Sequence, residues 1–483
     1  MKQFLLILSF LNLLSVFGFS GNYFGFVPTL KTTLKKYETD YINLKCFKSV
    51  TVSFNSTHVN FDAKNKKTYF CYDTVLISNH HRYLFKNIFL PGETSIDLHE
   101  IKEEENKDLN YYGLNIFYFK DGIFGSLLDI YKTSKLFVGS HLDMEYENLN
   151  FIKEKMNYKY EIWNKSFYFE ESQIKSGDYF SVTRLDGLDP MIMWGTGSFS
   201  GHTAIALRID GDLYICESTD ENPFGESYWP KPYGIIKTPY KKWLNLAEKA
   251  GYMVSILRLN KSNQLIFEKN LDEVIKNFVS LEGLSYGKNN FLFGWIDQDE
   301  NNFPGNLSMP FITNLAANLY KYSFAQKEID TFLTQALNHR LDTIDKNKNS
   351  NYNFIKIISE SIRLNYSLYK IFNIPEDDNW DYSDGKSYVC NTLVTLIYKL
   401  GGLFNLINNQ IQATEFSPRD SYMVKIFDNE KWYPSQCDNG NGLCQIMGKY
   451  KVILPEFNTI EMYPKMNQKC PSLPPKYDRP DKC

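Results

Sequence analysis

Apolar and polar residues alternate along the N-terminal part of the chain. Between about residues 21 and 165, short runs rich in β-branched and aromatic residues, such as KSVTVSF and KKTYFCYDTVLIS, are separated by polar turns. An alternation with a period of two is typical of strands that bury one face. The pattern predicts a mostly β N-terminal domain over residues 21–165.

The pattern changes from about residue 166, where strand-like and helix-like segments are mixed. SGDYFSVTRL, GHTAIALRI, GDLYICES and YMVSILRLN resemble strands, whereas YKKWLNLAEKA and LDEVIKNFVSLEG repeat apolar residues at helical intervals. A domain over residues 166–430, with a helical insertion at about 297–380, is therefore predicted. Residues 431–483 form a tail rich in Cys and Pro. The predicted fold class is α+β.

One hairpin is defined closely enough to predict its register. The dipeptide Asp210–Gly211 is a strong two-residue turn between strand-like segments. With the turn centred there, residue 204 faces residue 217, so His202 and Glu217 are diagonal neighbours on one face, and Cys216 points to the opposite, core side. A carboxylate beside an imidazole fixes its tautomer, as a general base requires. A purely structural strand histidine is the alternative.

Cys390 occupies the predicted first turn of a helix. In SYVCNTLVTLIYKLGG, Ser387 can cap a helix with one apolar stripe, and Gly401 and Gly402 end it. The helix dipole and the free N–H groups of a first turn lower a thiol pKa and can hold an oxyanion. Cys390 is therefore a candidate nucleophile, while a buried helix cysteine or a disulfide partner is the structural alternative.

Three glycines, Gly195, Gly197 and Gly201, precede His202 in WGTGSFSGHTAIALR. Phosphate-binding loops need GxxxxGKS/T or GxGxxG between a strand and a helix. Here the spacing is GxGxxxG, no lysine follows, and the next segment is strand-like. The glycines are predicted to shape a loop that delivers His202. No CxxC pair indicates structural zinc, and neither a metal nor another cofactor is expected.

Length and charge narrow the classes of function. At 483 residues, the chain is long enough for two or three domains. The formal net charge is −3 and there is no basic tract, which argues against nucleic acid as a partner.

The N-terminal segment MKQFLLILSFLNLLSVFGFS, residues 1–20, has the lysine, apolar run and small residues of a cleaved secretory signal peptide. A membrane anchor is the alternative, but the run is short of the ~20 residues that a span needs, and no stable membrane span is expected. The secretory pathway is the predicted location, with the product secreted or kept in a lysosome-like compartment. Acceptor motifs that suit a secreted glycoprotein occur at Asn55, Asn164, Asn260, Asn306 and Asn365.

The eight cysteines fall into two groups. Cys216 and Cys390 could be free or could pair with each other. In an oxidising compartment the other six could form three disulfide bonds, although spacing does not fix which pairs form. These six are Cys46, Cys71, Cys437, Cys444, Cys470 and Cys483.

Several segments together resemble a known family. KSGDYFSV, FSGHTAIALR, YICES, GLSYGKNNFLFGW and SYVCNTLV, in this order, are similar to circularly permuted papain-like amidases of the NlpC/P60 superfamily, in the YiiX/YaeF-like group. The resemblance covers about residues 170–296 and 382–425. It implies an antiparallel sheet with packed helices. In the family pattern a histidine begins one strand, a polar residue lies on the next and a cysteine begins a helix, which maps onto His202, Glu217 and Cys390.

The resemblance implies covalent acyl chemistry. Cys390 would attack the carbonyl of a small-molecule, peptide or lipid amide or ester, His202 would take and return the proton, and Glu217 would orient His202. The main expectation is hydrolysis of a peptide or peptidoglycan-type amide through a thioacyl intermediate. Four aromatic residues could line an apolar or sugar-stacking substrate cleft, although such residues more often belong to the core: Trp194, Phe199, Tyr286 and Trp295.

Two alternatives stay open at this point. One is a lipid acyltransferase or thioesterase on the same fold, since permuted relatives include lipid acyltransferases. The other is a non-catalytic, disulfide-braced binding glycoprotein. The chain also departs from the family pattern, because about 85 residues separate LFGW from the cysteine segment, and because CNTL stands where relatives often carry a serine and an acidic residue.

Overall fold

The fold is given by a computed structural model, and within the residues that it describes the protein is an α+β structure with antiparallel sheets and packed helices, as predicted. Residues 1–20 and Trp295 lie outside the described residues. The described residues are 29–34, 38–42, 46–55, 57–67, 73–78, 83–87, 92–97, 114–119, 136, 141–156, 158–220, 229–289, 302–303, 317, 320–346, 349–366, 371, 374–375, 385–405, 413–429 and 443–460.

The described N-terminal residues form two four-stranded sheets whose alternate side chains meet in a small core. In one long strand, for example, Val50, Val52 and Phe54 are buried while the residues between them are half-buried. The strands are β1 (Thr29–Leu34), β2 (Thr39–Ile42), β3 (Phe47–Phe54), β4 (His58–Lys66), β5 (Thr74–Ser78), β6 (Tyr83–Asn87), β7 (Gly92–Asp97) and β8 (Leu114–Phe119). Their orders are β1–β8–β5–β6 and β2–β3–β4–β7.

The following part of the chain alternates strands and helices. Its first elements are α1 (His141–Met156), β9 (Ile162–Ser166), β10 (Tyr179–Thr183), α2 (Leu188–Thr196), β11 (His202–Ile209), β12 (Asp212–Thr219), β13 (Gly234–Pro239), α3 (Tyr240–Lys249), β14 (Met253–Leu257), α4 (Lys261–Lys269), α5 (Leu271–Leu281) and β15 (Ser285–Tyr286). Next come β16 (Asn302–Phe303), α6 (Ser323–Ile329), a π-helical turn (Asp330–Thr334), α7 (Gln335–Ile344), α8 (Phe354–Arg363) and β17 (Ile374–Pro375). The last are β18 (Ser387–Tyr388), α9 (Cys390–Leu400), α10 (Pro418–Met423) and β19 (Leu443–Tyr450). Short 3-10 turns lie at Glu171–Gln173 and Ala413–Glu415.

A seven-stranded antiparallel sheet, in the order β13–β12–β11–β10–β14–β19–β9, organises this part. Its two faces bury different residues of the same strands, because successive side chains of a strand point to opposite sides. On one face, Ile205 and Leu207 join a core that includes the apolar side of α9. On the other, Ala204 and Ala206 pack in a core with Trp243 of α3. The sheet is therefore covered on both sides.

The predicted hairpin has the predicted register. β11 and β12 pair antiparallel with Ile205 opposite Cys216, which places residue 204 opposite 217. Asp210 and Gly211 both have positive φ, at 54° and 90°, as a two-residue turn of this type requires. Cys216 is buried in the core cluster on the face opposite Trp243. The pairing of the two strands, and hence the position of His202 next to Glu217, follows from this turn.

The expected helical pieces of the insertion are present. α6, the π-helical turn, α7 and α8 lie between β16 and β17, and these two short strands pair antiparallel, with Asn302 opposite Pro375. Leu333, Leu337 and Phe354 belong to the same core cluster as α9. The insertion is therefore packed against the layer that contains the predicted nucleophile helix.

The prediction that Ser387 caps the cysteine helix is wrong. The helix begins at Cys390, its N-cap residue is Val389, and no side chain caps it. Ser387 belongs instead to β18, which pairs in parallel with β15 and sets Tyr388 beside Tyr286. Tertiary strand pairing therefore overrides the local capping preference, and it brings Tyr286 to the N-terminal end of α9. The predicted end of the helix, at Gly401 and Gly402, is confirmed.

The structure distinguishes between the two possibilities left open for Cys216 and Cys390, which were free thiols or a disulfide bond between them. Cys216 and Cys390 are both free and buried, so they are not bonded to each other. Cys46 and Cys444 are the two described members of the group of six, and neither is among the free thiols. Among the described residues, no helix has the length and apolar character to cross a membrane.

Candidate active site

His202 and Glu217 form a buried pair at the end of the sheet. His202 Nε2 lies 2.7 Å from Glu217 Oε2, and the two side chains are only 2% and 3% exposed. A carboxylate can only accept hydrogen bonds, so this contact assigns a proton to Nε2 and leaves Nδ1 as the ring atom that can gain or lose one. The predicted diagonal pair is therefore present, with the imidazole held in one tautomer.

The second oxygen of Glu217 is also occupied. Trp243 Nε1–H donates to Glu217 Oε1 at 2.7 Å, and both residues are buried. Glu217 thus accepts from two donors on two different elements, β11 and α3. A carboxylate serves both donors, whereas an amide side chain has a single acceptor oxygen. Trp243 is a positioning residue that the sequence reasoning missed, because its apolar helix position predicted only core packing.

Cys390 and His202 shift each other's pKa. His202 Nδ1 makes no hydrogen bond of ordinary geometry to a described residue, but its ring lies close to the Cys390 thiol. Burial alone would raise the pKa of the thiol, but contact with the imidazole and its positive charge, helped by the N–H of Thr203, leaves that pKa lowered. The pair therefore favours a thiolate next to an imidazolium.

The pKa of His202 is raised to about 9. Burial and the positive charge of Arg184 lower it, but the close contact with Cys390, the hydrogen bond with Glu217 and the negative charge of the thiolate outweigh them. Because the thiol pKa falls and the imidazole pKa rises, there is a pH window in which both groups are charged. Within that window Cys390 is a thiolate, which is the reactive form of the side chain.

A second buried ion pair fixes the segment before His202. Arg184 donates through Nε and Nη2 to Asp189 Oδ1, at 3.0 and 2.6 Å, and its backbone N–H donates to Oδ2 at 2.9 Å. A Cβ on Gly201 would lie 2.4 Å from Asp189 Cβ, so only glycine fits there. The predicted glycine loop is shorter than expected, since α2 extends to Thr196 and ends at Gly197 in the left-handed conformation.

The four predicted cleft aromatics have different positions. Tyr286 OH donates to Cys390 Sγ at 4.0 Å, so this residue belongs to the site. Phe199 is half-buried and stacks on Tyr158, with ring centroids 5.3 Å apart. Trp194 is 1% exposed and is part of the core of the domain. Trp295 lies outside the described residues.

The insertion touches this site. Ile192 of α2 and Val389 form a small apolar cluster, and Tyr286 and Phe332 pack against it. Phe332 lies in the π-helical turn of the insertion, a type of irregularity that is frequent at functional sites. Cys390 itself is fully buried. No group of three His, Cys, Asp or Glu side chains among the described residues could hold a metal ion.

Comparison with known proteins adds no family to this description. No family model, no curated protein and no solved structure matches the chain.

Proposed function

We propose that the protein is a cysteine-dependent acyl-transfer enzyme that hydrolyses an amide bond through a thioacyl intermediate, with Cys390 as nucleophile. The observation that carries the proposal is the arrangement around His202, which has Glu217 on Nε2 at 2.7 Å and the Cys390 thiol beside the rest of the ring. A nucleophile, a base and a group that orients the base are the three parts that covalent acyl transfer requires.

In the proposed acylation step, the Cys390 thiolate attacks the carbonyl carbon of the substrate. An S–C bond forms, the carbonyl π electrons move onto oxygen, and a tetrahedral oxyanion results. When this collapses, the C–N bond breaks and the leaving amine takes the proton from His202. Water then attacks the thioester, His202 accepts a proton from it, and the products are a carboxylic acid and the regenerated thiol.

Two donors are available for the oxyanion. The N–H of Cys390 lies in the first turn of α9, where no side chain caps the helix and the helix dipole favours negative charge. Tyr286 OH lies 4.0 Å from Sγ, within reach of an oxygen bonded to the carbon that Sγ attacks. Burial raises the pKa of Tyr286 well above its usual value, so its hydroxyl keeps its proton and remains a donor.

The circularly permuted papain-like architecture is part of the same proposal. The order of histidine strand, polar residue on the next strand and cysteine helix, which the sequence resembles, runs along β11, β12 and α9. The alternative of a non-catalytic binding glycoprotein would gain from a bond between Cys390 and Cys216, or from properties that survive replacement of Cys390. Both thiols are free, so the first of these two supports is missing. The secretory signal, the disulfide bonds and the glycosylation remain predictions from the sequence.

The test is the rate of iodoacetamide labelling of Cys390 as a function of pH, read by peptide mapping, in the wild type and in His202→Ala. Cys216 is an internal reference, because burial raises the pKa of its thiol and no imidazole offsets this. We expect Cys390 to label well below pH 8.5 in the wild type, and more slowly in the variant at the same pH. Labelling of Cys390 that titrates like an ordinary thiol in both proteins would overturn the proposal.

A further inference from the structure

A row of hydroxyl side chains crosses the face of the central sheet that carries α9. Ser181 of β10 lies opposite Thr203 of β11 on one side and opposite Ser255 of β14 on the other. We call Thr203, Ser181 and Ser255 the hydroxyl row. All three residues are fully buried, and they are cross-strand neighbours on one face.

None of these hydroxyls makes a hydrogen bond of ordinary geometry to a described residue. Neither does Tyr179 OH, on the same face of β10 two residues before Ser181, although Thr203 lies close enough to it to lower its pKa slightly against the rise that burial causes. Buried polar groups in proteins are nearly always hydrogen-bonded, and native structures leave few exceptions. Four such groups on neighbouring positions therefore point to an occupant that supplies donors and acceptors.

The next row of side chains on the same face, at Tyr179, is flanked by apolar residues. Tyr179 has Ile205 and Leu257 as its cross-strand neighbours, and both belong to the core cluster on this face. The adjacent row, formed by Thr203, Ser181 and Ser255, is polar, and the buried Gln445 of β19 continues it opposite Ser255. A surface built only to pack against a helix needs no hydroxyls, because alanine and valine would fill the same volumes without an unsatisfied group.

The row begins at the candidate nucleophile. Thr203 follows His202 in β11, and its backbone N–H lies close enough to the Cys390 thiol to help lower the pKa of that thiol. Tyr179 also lies near the thiol, since a thiolate at Cys390 adds to the rise in the pKa of Tyr179 that burial causes. A group covalently attached to Cys390 Sγ would thus start at one end of the hydroxyl row.

The chemistry of the row selects the class of acyl group. Serine, threonine and a tyrosine whose pKa is raised are all neutral, and each can donate and accept. Resting on the function proposed above, we propose that the hydroxyl row is the subsite for the acyl part of the substrate, and that this part carries a neutral hydroxyl or carboxamide group. An alkyl chain would leave all of these hydroxyls without partners, which favours a polar acyl donor over a lipid one.

The test compares two esters of equal shape, p-nitrophenyl 3-hydroxybutyrate and p-nitrophenyl 3-methylbutyrate, on the full chain. In each case the S–C bond to Cys390 forms, the ester C–O bond breaks, p-nitrophenolate leaves, and water then hydrolyses the thioester. The measured quantity is the ratio of the two rates of p-nitrophenolate release. We expect the hydroxy ester to be favoured about tenfold, the value of one well-made hydrogen bond.

The variants Thr203→Val and Ser181→Ala, singly and together, test whether the row causes the preference. The ratio should fall towards one in the double variant, whereas Thr238→Val, in β13 of the same sheet, should keep the wild-type ratio. A wild-type ratio near one, or a double variant that keeps the preference while its free energy of unfolding rises, would overturn the subsite and make the row a packing surface. Release that persists in Cys390→Ala would instead contradict the proposed function, and the subsite with it.

Discussion

Replacing Glu217 by Gln tests the part of the site that the structure defines most closely. Glu217 accepts from His202 Nε2 and from Trp243 Nε1, both at 2.7 Å, in a buried position. Glutamine keeps the shape but has no charge and only one acceptor oxygen. The substitution should therefore have two separable effects, one on the reactivity of Cys390 and one on stability.

The effect on reactivity comes from the lost charge. A hydrogen bond to a charged group contributes ~1.5–3 kcal/mol and a neutral one ~0.5–1.5 kcal/mol, so the imidazolium loses about 1–1.5 kcal/mol of stabilisation. This lowers the pKa of His202 by about 1 and makes the thiolate–imidazolium pair correspondingly less stable. Labelling of Cys390 by iodoacetamide at pH 6 should slow about tenfold, with the profile moved to higher pH.

The effect on stability comes from the second donor. In Glu217→Gln, either Trp243 or His202 faces the amide NH₂, and a buried donor without an acceptor costs about 1–3 kcal/mol of the free energy of unfolding. In a Trp243→Phe background this conflict is absent, so the same Glu217 substitution should cost less there. Urea denaturation of the four proteins of this double-mutant cycle measures the difference.

Two results would refute this reasoning. One is a pH profile of labelling for Glu217→Gln that superimposes on the wild-type profile. The other is an equal cost of the Glu217 substitution in the wild-type and Trp243→Phe backgrounds. Glu282→Gln is a matched control, since Glu282 pairs with Lys237 at a half-exposed position. In this variant the pH profile for labelling of Cys390 should remain that of the wild type.

Three further predictions concern neighbouring residues. Tyr286→Phe should slow acylation of Cys390 by an ester about 10²-fold, but alkylation by iodoacetamide, which develops no oxyanion, should not slow in parallel; equal losses would exclude an oxyanion role. Arg184→Met leaves the buried Asp189 carboxylate uncompensated and should lower the free energy of unfolding by about 3–5 kcal/mol in urea at pH 7. Burial already raises the pKa of Asp189, so this loss should shrink at acid pH, where the carboxyl is protonated. Gly201→Ala places a Cβ 2.4 Å from Asp189 Cβ and should cost about 1–3 kcal/mol in the same assay; an unchanged midpoint would show that the loop can shift.

The local pattern predicted the His202–Glu217 pair because a two-residue turn leaves little freedom in the register of the two strands that it joins. Once Asp210 and Gly211 form the turn, the register of β11 and β12 is set, and with it the face on which each side chain lies. The strand and helix segments around it were predictable for a similar reason, since their apolar periods match the faces that the sheet buries. Short-range information was sufficient for these elements.

Other parts of the site depend on contacts that are distant in sequence. Serine is a preferred N-cap residue, so the local sequence predicts that Ser387 caps the helix. Pairing of β18 with β15, about a hundred residues earlier in the chain, places Ser387 in a strand instead. Trp243 donates to Glu217 because α3 packs against the far face of the sheet, which no local pattern encodes. The hydroxyl row arises only when β11, β10 and β14 are side by side. These features become visible only when strand order is known.

A comparison of the two free thiols, Cys216 and Cys390, shows what lowers the pKa of Cys390. Cys216 and Cys390 are both fully buried, and burial raises the pKa of each, because a low dielectric disfavours the thiolate. The pKa of Cys216 stays well above its usual value, whereas that of Cys390 ends below it, and the largest lowering influence on Cys390 is His202. Burial is therefore not what would activate the nucleophile. It strengthens the imidazole contact by excluding water, and it makes the reactivity of Cys390 depend on His202, and through His202 on Glu217.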